Sequence, residues 1–170
     1  SSSTTVDILT GFSDTSAIGA GKLVPLVSKG YVTAGQYSRI RGLPMQTMTF
    51  GFSNAKLFVG AGPYFVDSNN DGRIDSADTP SSDAVGFAVD NLNLGLVIYS
   101  DPQKVVPRLW ALSATVDNVG FKGLDFLTLE ANQVRISANQ SSAWSGTKVE
   151  PYVDFVSTYG ANGLRSESVV

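Results

Sequence analysis

Oxygen-bearing side chains recur at alternate positions through residues 67–78. A calcium loop of twelve residues carries oxygen side chains, or groups that orient a water molecule, at positions 1, 3, 5, 9 and 12, and a carbonyl ligand at position 7. Position 6 is glycine because the backbone turns sharply there. Counted from Asp67, position 6 is Gly72, and the expected ligands are Asp67, Asn69, Asp71, the carbonyl of Arg73, Asp75 and Asp78. The spacing predicts a structural Ca²⁺ site.

The same residue types are also common in solvated turns that bind no metal. Two features favour the metal. Four aspartates within twelve residues repel one another unless a cation lies between them, and Ile74 stands at position 8, where we expect the apolar side chain to turn inward. The one departure from the usual pattern is Asp78, where glutamate is the common residue. Its shorter carboxylate can still close a coordination shell.

With Ile74 and the closing D-x-x-D of Asp75 and Asp78, residues 67–78 resemble the EF-hand-type calcium loop of dockerin repeats. The resemblance covers these twelve residues and implies the metal ligands alone. A dockerin has two such loops, each followed by a helix, whereas this chain has one, and Pro80 stands where an exiting helix would begin. A cohesin partner is therefore not expected.

Composition bounds the remaining possibilities. With 170 residues, 42% apolar and 16% charged, the chain is typical of a single folded domain, residues 1–170, into which the loop at 67–78 is inserted. The net charge is −3 and no basic cluster is present, so nucleic acid is not an expected partner. No apolar run approaches the roughly 18 residues of a membrane span. The first residues show no signal-peptide pattern, which is typical of a mature chain or an excised segment.

The sequence contains no histidine and no cysteine. Ser-His-Asp and Cys-His mechanisms and imidazole-based zinc sites are therefore excluded. A pair of carboxylates could still hydrolyse a glycoside, but Glu130 stands on the expected solvent face of a strand and Glu150 has no distinguishing context. We therefore expect a protein that is not an enzyme.

Apolar residues alternate with polar or small ones in several short runs, the pattern of half-buried strands. The runs are Met48 to Phe52, Leu57 to Val59, Val85 to Val89, Leu92 to Ile98, Trp110 to Val116, Leu127 to Ile136 and Val149 to Val156. Trp110 is expected in the core. Thr4 to Leu9 is a further candidate strand, which either pairs within its own sheet or is donated to a neighbour. The best helical pattern is Ala17 to Val27, interrupted by Gly19, Gly21 and Pro25.

These patterns predict an all-β fold, most simply an antiparallel sandwich-like domain. A faint N-x-x-[LF] similarity links the segments beginning at Asn54, Asn91 and Asn118, and it leaves a β-solenoid as the alternative. The irregular spacing favours the sandwich.

Residues 54–139 are also similar to the repeated β-domains of giant bacterial surface and adhesin-like proteins. The similarity rests on VGFAVDNLNLGL from Val85 and on ATVDNVGFKGLDFLTL from Ala114. It implies a non-catalytic structural or adhesive module that requires Ca²⁺ and lies outside the cell or at its surface, where free Ca²⁺ is abundant. Its expected partners are other protein modules or copies of itself.

Two alternatives remain open. One is a subunit of an extracellular filament or surface layer that assembles through its termini. The other is a carbohydrate-binding module in which Ca²⁺ is structural and a glycan stacks on exposed aromatic rings. The candidate platform for that glycan consists of Trp144, which stands among serines, and Tyr152.

Overall fold

The computed structural model describes residues 2–75, 77–123 and 130–160, and most of them form β-structure. The described elements are, in chain order, β1 (Ser2–Leu9), α1 (Ala17–Lys22), α2 (Val24–Ser28), β2 (Arg39–Ala61), β3 (Val85–Ser100), β4 (Leu109–Lys122), β5 (Glu130–Ser141), β6 (Tyr152–Val153) and α3 (Phe155–Tyr159). The six strands form one open antiparallel sheet in the order β5-β4-β3-β2-β1-β6. Within the described residues, no helix has the length and apolar character needed to cross a membrane.

The all-β prediction is confirmed, but the strands are longer than the alternating runs. The runs that begin at Met48 and Leu57 belong to one strand, β2, and the two runs that begin at Val85 and Leu92 both belong to β3. The predicted last strand is extended only at β6, after which the chain enters α3. Leu127 lies outside the described residues.

The N-terminal strand pairs within its own chain. β1 lies between β2 and β6, with Val6 opposite Leu43 and Ile8 opposite Val153. Both hydrogen-bonding edges of β1 therefore face strands of the same molecule. The segment from Thr4 to Leu9 therefore pairs within its own sheet, which is one of the two possibilities that the sequence left open.

The contacts divide the chain into two compact units, and unit 1 comprises residues 1–51, 94–113 and 136–170. The predicted helical segment forms α1 and α2. Ser16 begins α1 by accepting the N–H of Gly19 on Oγ at 3.0 Å, and Pro25 stands in the first turn of α2, where a missing N–H is harmless. Leu23 and Leu26 of this segment are fully buried in one apolar cluster with residues of β1 to β4.

The buried face of the sheet in unit 1 is the opposite of the one that the alternation suggested. Leu109 and Ala111 are 0% and 3% exposed, whereas Trp110 and Leu112 are only half-buried. The expectation that Trp110 lies in the core is therefore wrong. Because side chains alternate across a strand, Trp110 and Leu112 give β4 a second apolar face.

A side-chain amide bridges the two edge strands of the sheet, β5 and β6. Asn139 donates Nδ2–H to the carbonyl of Val153 at 2.8 Å and accepts the Val153 N–H on Oδ1 at 3.2 Å. Two residues along, the Ser141 hydroxyl donates to the carbonyl of Pro151 at 2.6 Å. The amide thus occupies both backbone groups of Val153 as a neighbouring strand would, and it protects an otherwise unpaired edge.

Unit 2 comprises residues 52–93 and 114–135. The ring of Phe58 stacks on Tyr64 with a centroid separation of 4.4 Å, and Tyr64 is buried with Ala84 and Ala88. A Cβ added to Gly86 would lie 2.5 Å from the carbonyl oxygen of Val59, so the backbone there approaches more closely than any side chain permits. Among the described residues, the buried cluster of this unit is therefore much smaller than that of unit 1.

Left-handed backbone conformations interrupt three of the strands. Asn54 in β2, Asn91 in β3 and Gln133 in β5 have φ angles of 56°, 54° and 56°. Asparagine tolerates this region better than most residues, and a left-handed residue inside a strand is characteristic of β-bulges. Two members of the faint asparagine repeat therefore share a backbone conformation, while Asn118 has no positive φ.

We predict that Asn139→Ala lowers the free energy of unfolding by about 2 kcal/mol, because it removes two hydrogen bonds and leaves the backbone of buried Val153 unpaired. Urea denaturation measures the change. Gln140→Ala, one position along the same strand and exposed, is the control and should have little effect. Equal stabilities of the two variants would show that the amide bridge does not hold the edges.

Candidate functional site

The first half of the loop at residues 67–78 is folded around the carboxylate of Asp67. Its Oδ1 accepts the N–H of Asp71 at 3.1 Å and its Oδ2 accepts the N–H of Gly72 at 2.8 Å. Gly72 has a φ of +82°, the conformation for which this position requires glycine. Asn69 also accepts the Asp71 N–H, on Oδ1 at 3.0 Å. The sharp turn predicted at Gly72 is present.

The second half is closed by Asp78, which is 9% exposed. Its Oδ1 accepts the backbone N–H of Ser68 at 2.8 Å, and its Oδ2 accepts the N–H of Asp75 at 2.8 Å. The Ser68 hydroxyl also accepts the N–H of Thr79 at 2.8 Å. Ser68 was not among the predicted site residues, although serine after aspartate is a common turn residue whose hydroxyl bonds to nearby backbone.

The environment of Asp78 favours its ionised form. The Asp75 N–H holds the pKa of the Asp78 carboxyl below its usual value, and the groups of Ser68 and Asn69 add to this effect against the burial that raises the pKa. Asp78 is therefore a carboxylate at neutral pH.

Ile74 does not turn inward as expected. Its side chain is 58% exposed and lines a surface cavity of about 260 Å³ together with Phe65 and Pro80. The apolar residue at position 8 therefore adds no buried contact that closes the loop.

The residues that could hold Ca²⁺ fit by chemical kind and order, since all are the oxygen donors that this ion prefers. Each carboxylate oxygen that accepts one N–H keeps a second lone pair. Asp71 and Asp75 each accept the backbone N–H of the residue two positions further along the chain, Arg73 and Ala77 respectively. One oxygen of each carboxylate is therefore already engaged by the backbone. Within the described residues, no three His, Cys, Asp or Glu side chains converge on a point that could hold a metal ion.

Trp144 is not the exposed platform that the sequence suggested. It is 2% exposed, and its indole N–H donates to the carbonyl of Thr10 at 2.8 Å. Its ring packs against Phe12 with a centroid separation of 5.5 Å. A sugar cannot stack on a ring that is covered in this way, so Trp144 belongs to the core of unit 1.

Tyr152 is 43% exposed and keeps the exposure that a ligand platform requires. Of the two carboxylates considered for glycoside hydrolysis, Glu150 is exposed, and the side chain of Glu130 is not among those that the structure describes.

Comparison of the chain with protein-family models, with curated proteins and with solved structures finds no match. The geometry of the loop and of the sheet is therefore the basis for a functional proposal.

We predict that Trp144→Phe destabilises unit 1 by about 1–3 kcal/mol, because it leaves the buried carbonyl of Thr10 without its donor. Trp110→Phe is the matched control, since its ring is only half-buried and its indole makes no hydrogen bond to any residue that the structure describes. Urea denaturation followed by circular dichroism compares the two variants. A larger loss from Trp110→Phe would contradict the structural role assigned to Trp144.

Proposed function

We propose that this chain is a non-catalytic structural or adhesive module that binds Ca²⁺ through residues 67–78 and works outside the cell. The observation that carries the proposal is the loop itself. Asp67 holds the turn at Gly72, and Asp78 ties the end of the loop back to its beginning at Ser68. Asp67 and Asp78, the predicted first and last ligands, therefore both accept backbone N–H groups of residues 68–72.

The proposed ligands are Asp67, Asn69, Asp71, the carbonyl of Arg73, Asp75 and Asp78. When bound, the ion would neutralise the four aspartates and couple the stability of the loop to the Ca²⁺ concentration. Asp71 and Asp75 are exposed and Asp67 is half-buried, so the carboxylates of Asp71 and Asp75 are accessible from solvent. The loop joins β2 to β3, so its order fixes the connection between these strands.

We expect millimolar Ca²⁺ to raise the melting temperature by several degrees relative to excess chelator, because an ion that binds only the folded chain stabilises it by mass action. Asp71→Asn should reduce this increment by removing one anionic ligand while keeping a side-chain oxygen. Differential scanning calorimetry with and without Ca²⁺ measures both effects.

Asp83→Asn is the matched control, because Asp83 is an exposed aspartate of unit 2 outside the loop. It should leave the Ca²⁺ increment unchanged. An increment that Mg²⁺ reproduces fully, or that Asp83→Asn reduces as much as Asp71→Asn, would contradict a specific calcium loop.

A second candidate function is a self-assembling extracellular subunit, and the apolar outer face of the sheet in unit 1 favours it. Met48 on β2 is 60% exposed, on the face opposite buried Met45. Leu96 on β3 and Trp110 on β4 are half-buried and likewise point away from the buried side of their strands. These three strands are neighbours in the sheet. Apolar side chains that share the outer face of neighbouring strands are common at interfaces between proteins.

For this candidate we expect concentration-dependent association, which light scattering coupled to size-exclusion chromatography detects. Replacing Met48 and Leu96 together by serine should shift the chain toward the monomer, because it makes the face polar. Gln36→Ser, at an exposed loop position, is the control. A wild-type chain that stays monomeric at the highest concentration attainable would remove the support for self-assembly.

A further inference from the structure

A cavity of unit 1 is lined by two cationic side chains. Its volume is about 590 Å³, and it lies between the end of β3 and the start of β4, with residues from β2 and from the segment after β5. The side chains of Lys104 and Arg108 line it, and neither makes an ion pair or a side-chain hydrogen bond within the described part of the chain. Two cations without an ion pair to any described residue therefore line one concavity.

The loop that carries Lys104 is rigidly built. The carboxylate of Asp101, 7% exposed, accepts the N–H groups of Gln103, Val105 and Val106 at 2.9, 2.8 and 3.0 Å. Lys104 itself has a φ of +58°, a conformation that a lysine adopts only where the surrounding structure holds it. The position of the lysine backbone is therefore fixed before any ligand arrives.

The charge of Asp101 does not cancel that of the two cations. Its oxygens accept three backbone N–H groups, and its single negative charge offsets only one of the two positive charges. Among the residues that line the cavity, Lys104 and Arg108 are the cations and Asp101 is the anion. The cavity therefore keeps a net positive charge on its exposed side.

The rest of the lining consists of neutral groups suited to hydroxyls and to the apolar face of a small ring. Gln46, Ser100 and Ser142 supply amide and hydroxyl groups, while Pro102 and Val106 supply apolar surface. A volume of about 590 Å³ exceeds what a small inorganic anion fills and falls in the range of small-molecule sites.

We propose that this cavity binds the carboxylated sugar of an acidic polysaccharide, a hexuronate residue. The planar guanidinium of Arg108 matches a carboxylate through two parallel hydrogen bonds, and Lys104 adds a second positive charge. The ring hydroxyls meet Ser100, Ser142 and Gln46. This site lies in unit 1 and uses no residue of the calcium loop. The two proposals can therefore be tested separately.

The test is calorimetric titration of the chain with a tetramer of galacturonic acid at low salt. Excess chelator is present so that Ca²⁺ cannot bridge the sugar to the loop. A neutral galactose tetramer serves as the uncharged ligand. We expect binding of the acidic tetramer alone, and we expect Arg108→Gln to weaken it about tenfold, the effect of losing one charged hydrogen-bonding pair. Lys104→Gln should weaken binding less, because ammonium groups bind carboxylates as point charges.

Lys148→Gln is the matched control, since Lys148 is an exposed lysine of unit 1 that does not line the cavity. It should bind as the wild type does, and thermal melts should show all three variants folded because each replaced side chain is exposed. Absence of wild-type binding overturns the proposal. Equal weakening by Lys148→Gln would reduce the interaction to general charge attraction. Equal binding of a hexa-aspartate peptide would show that the cavity recognises charge without recognising a sugar.

Discussion

The hydrogen bonds between the Asn139 amide and the backbone of Val153 connect the two strands at which the sheet of unit 1 ends. An open sheet leaves a row of unpaired N–H and C=O groups at each edge, and those groups invite pairing with other chains. β6 has only two residues, too few to form a durable edge without help. The amide satisfies both backbone groups of Val153 at once, and the adjacent Ser141 hydroxyl binds Pro151. The segment between β5 and β6 is thereby held close enough to bury Trp144 against Thr10 and Phe12.

The β-structure was predictable from the sequence, whereas the buried face of the sheet and the position of Trp144 were not. The period of two identified β-structure because it reflects local side-chain direction. The alternation does not show which face of β4 is buried, because both faces are apolar. Trp110 and Leu112 lie on one face, and Leu109 and Ala111 lie on the other. That choice depends on where α1 and α2 pack. The burial of Trp144 was equally inaccessible, because its partner Thr10 is 134 residues away along the chain. The serines around Trp144 predicted an exposed loop, whereas the hydrogen bond to Thr10 holds the side chain in the core.

The candidate calcium loop was predicted in its order of residues and in the turn at Gly72. What the sequence could not show is how fully the backbone uses the same carboxylates. Asp67 and Asp78 together accept four different backbone N–H groups at 3.1 Å or less, from Ser68, Asp71, Gly72 and Asp75. The repulsion among the four aspartates, which argued for a cation, is therefore partly relieved by peptide dipoles within the loop. The lowered pKa of Asp78 has the same origin, because the Asp75 N–H stabilises its charged form.

The same hydrogen bonds bear on how tightly such a loop can hold Ca²⁺. A carboxylate that turns toward an ion gives up, or shares, the N–H groups that it accepts, as Asp71 and Asp75 would with those of Arg73 and Ala77. Part of the binding free energy is then spent on rearrangement, which lowers the affinity. Weak sites of sub-millimolar to millimolar affinity are filled where Ca²⁺ is abundant, outside cells, and are empty in the cytosol. Backbone hydrogen bonds to Asp67 and Asp78 hold the turns of this loop, so in the proposed module an ion would add stability to an existing turn.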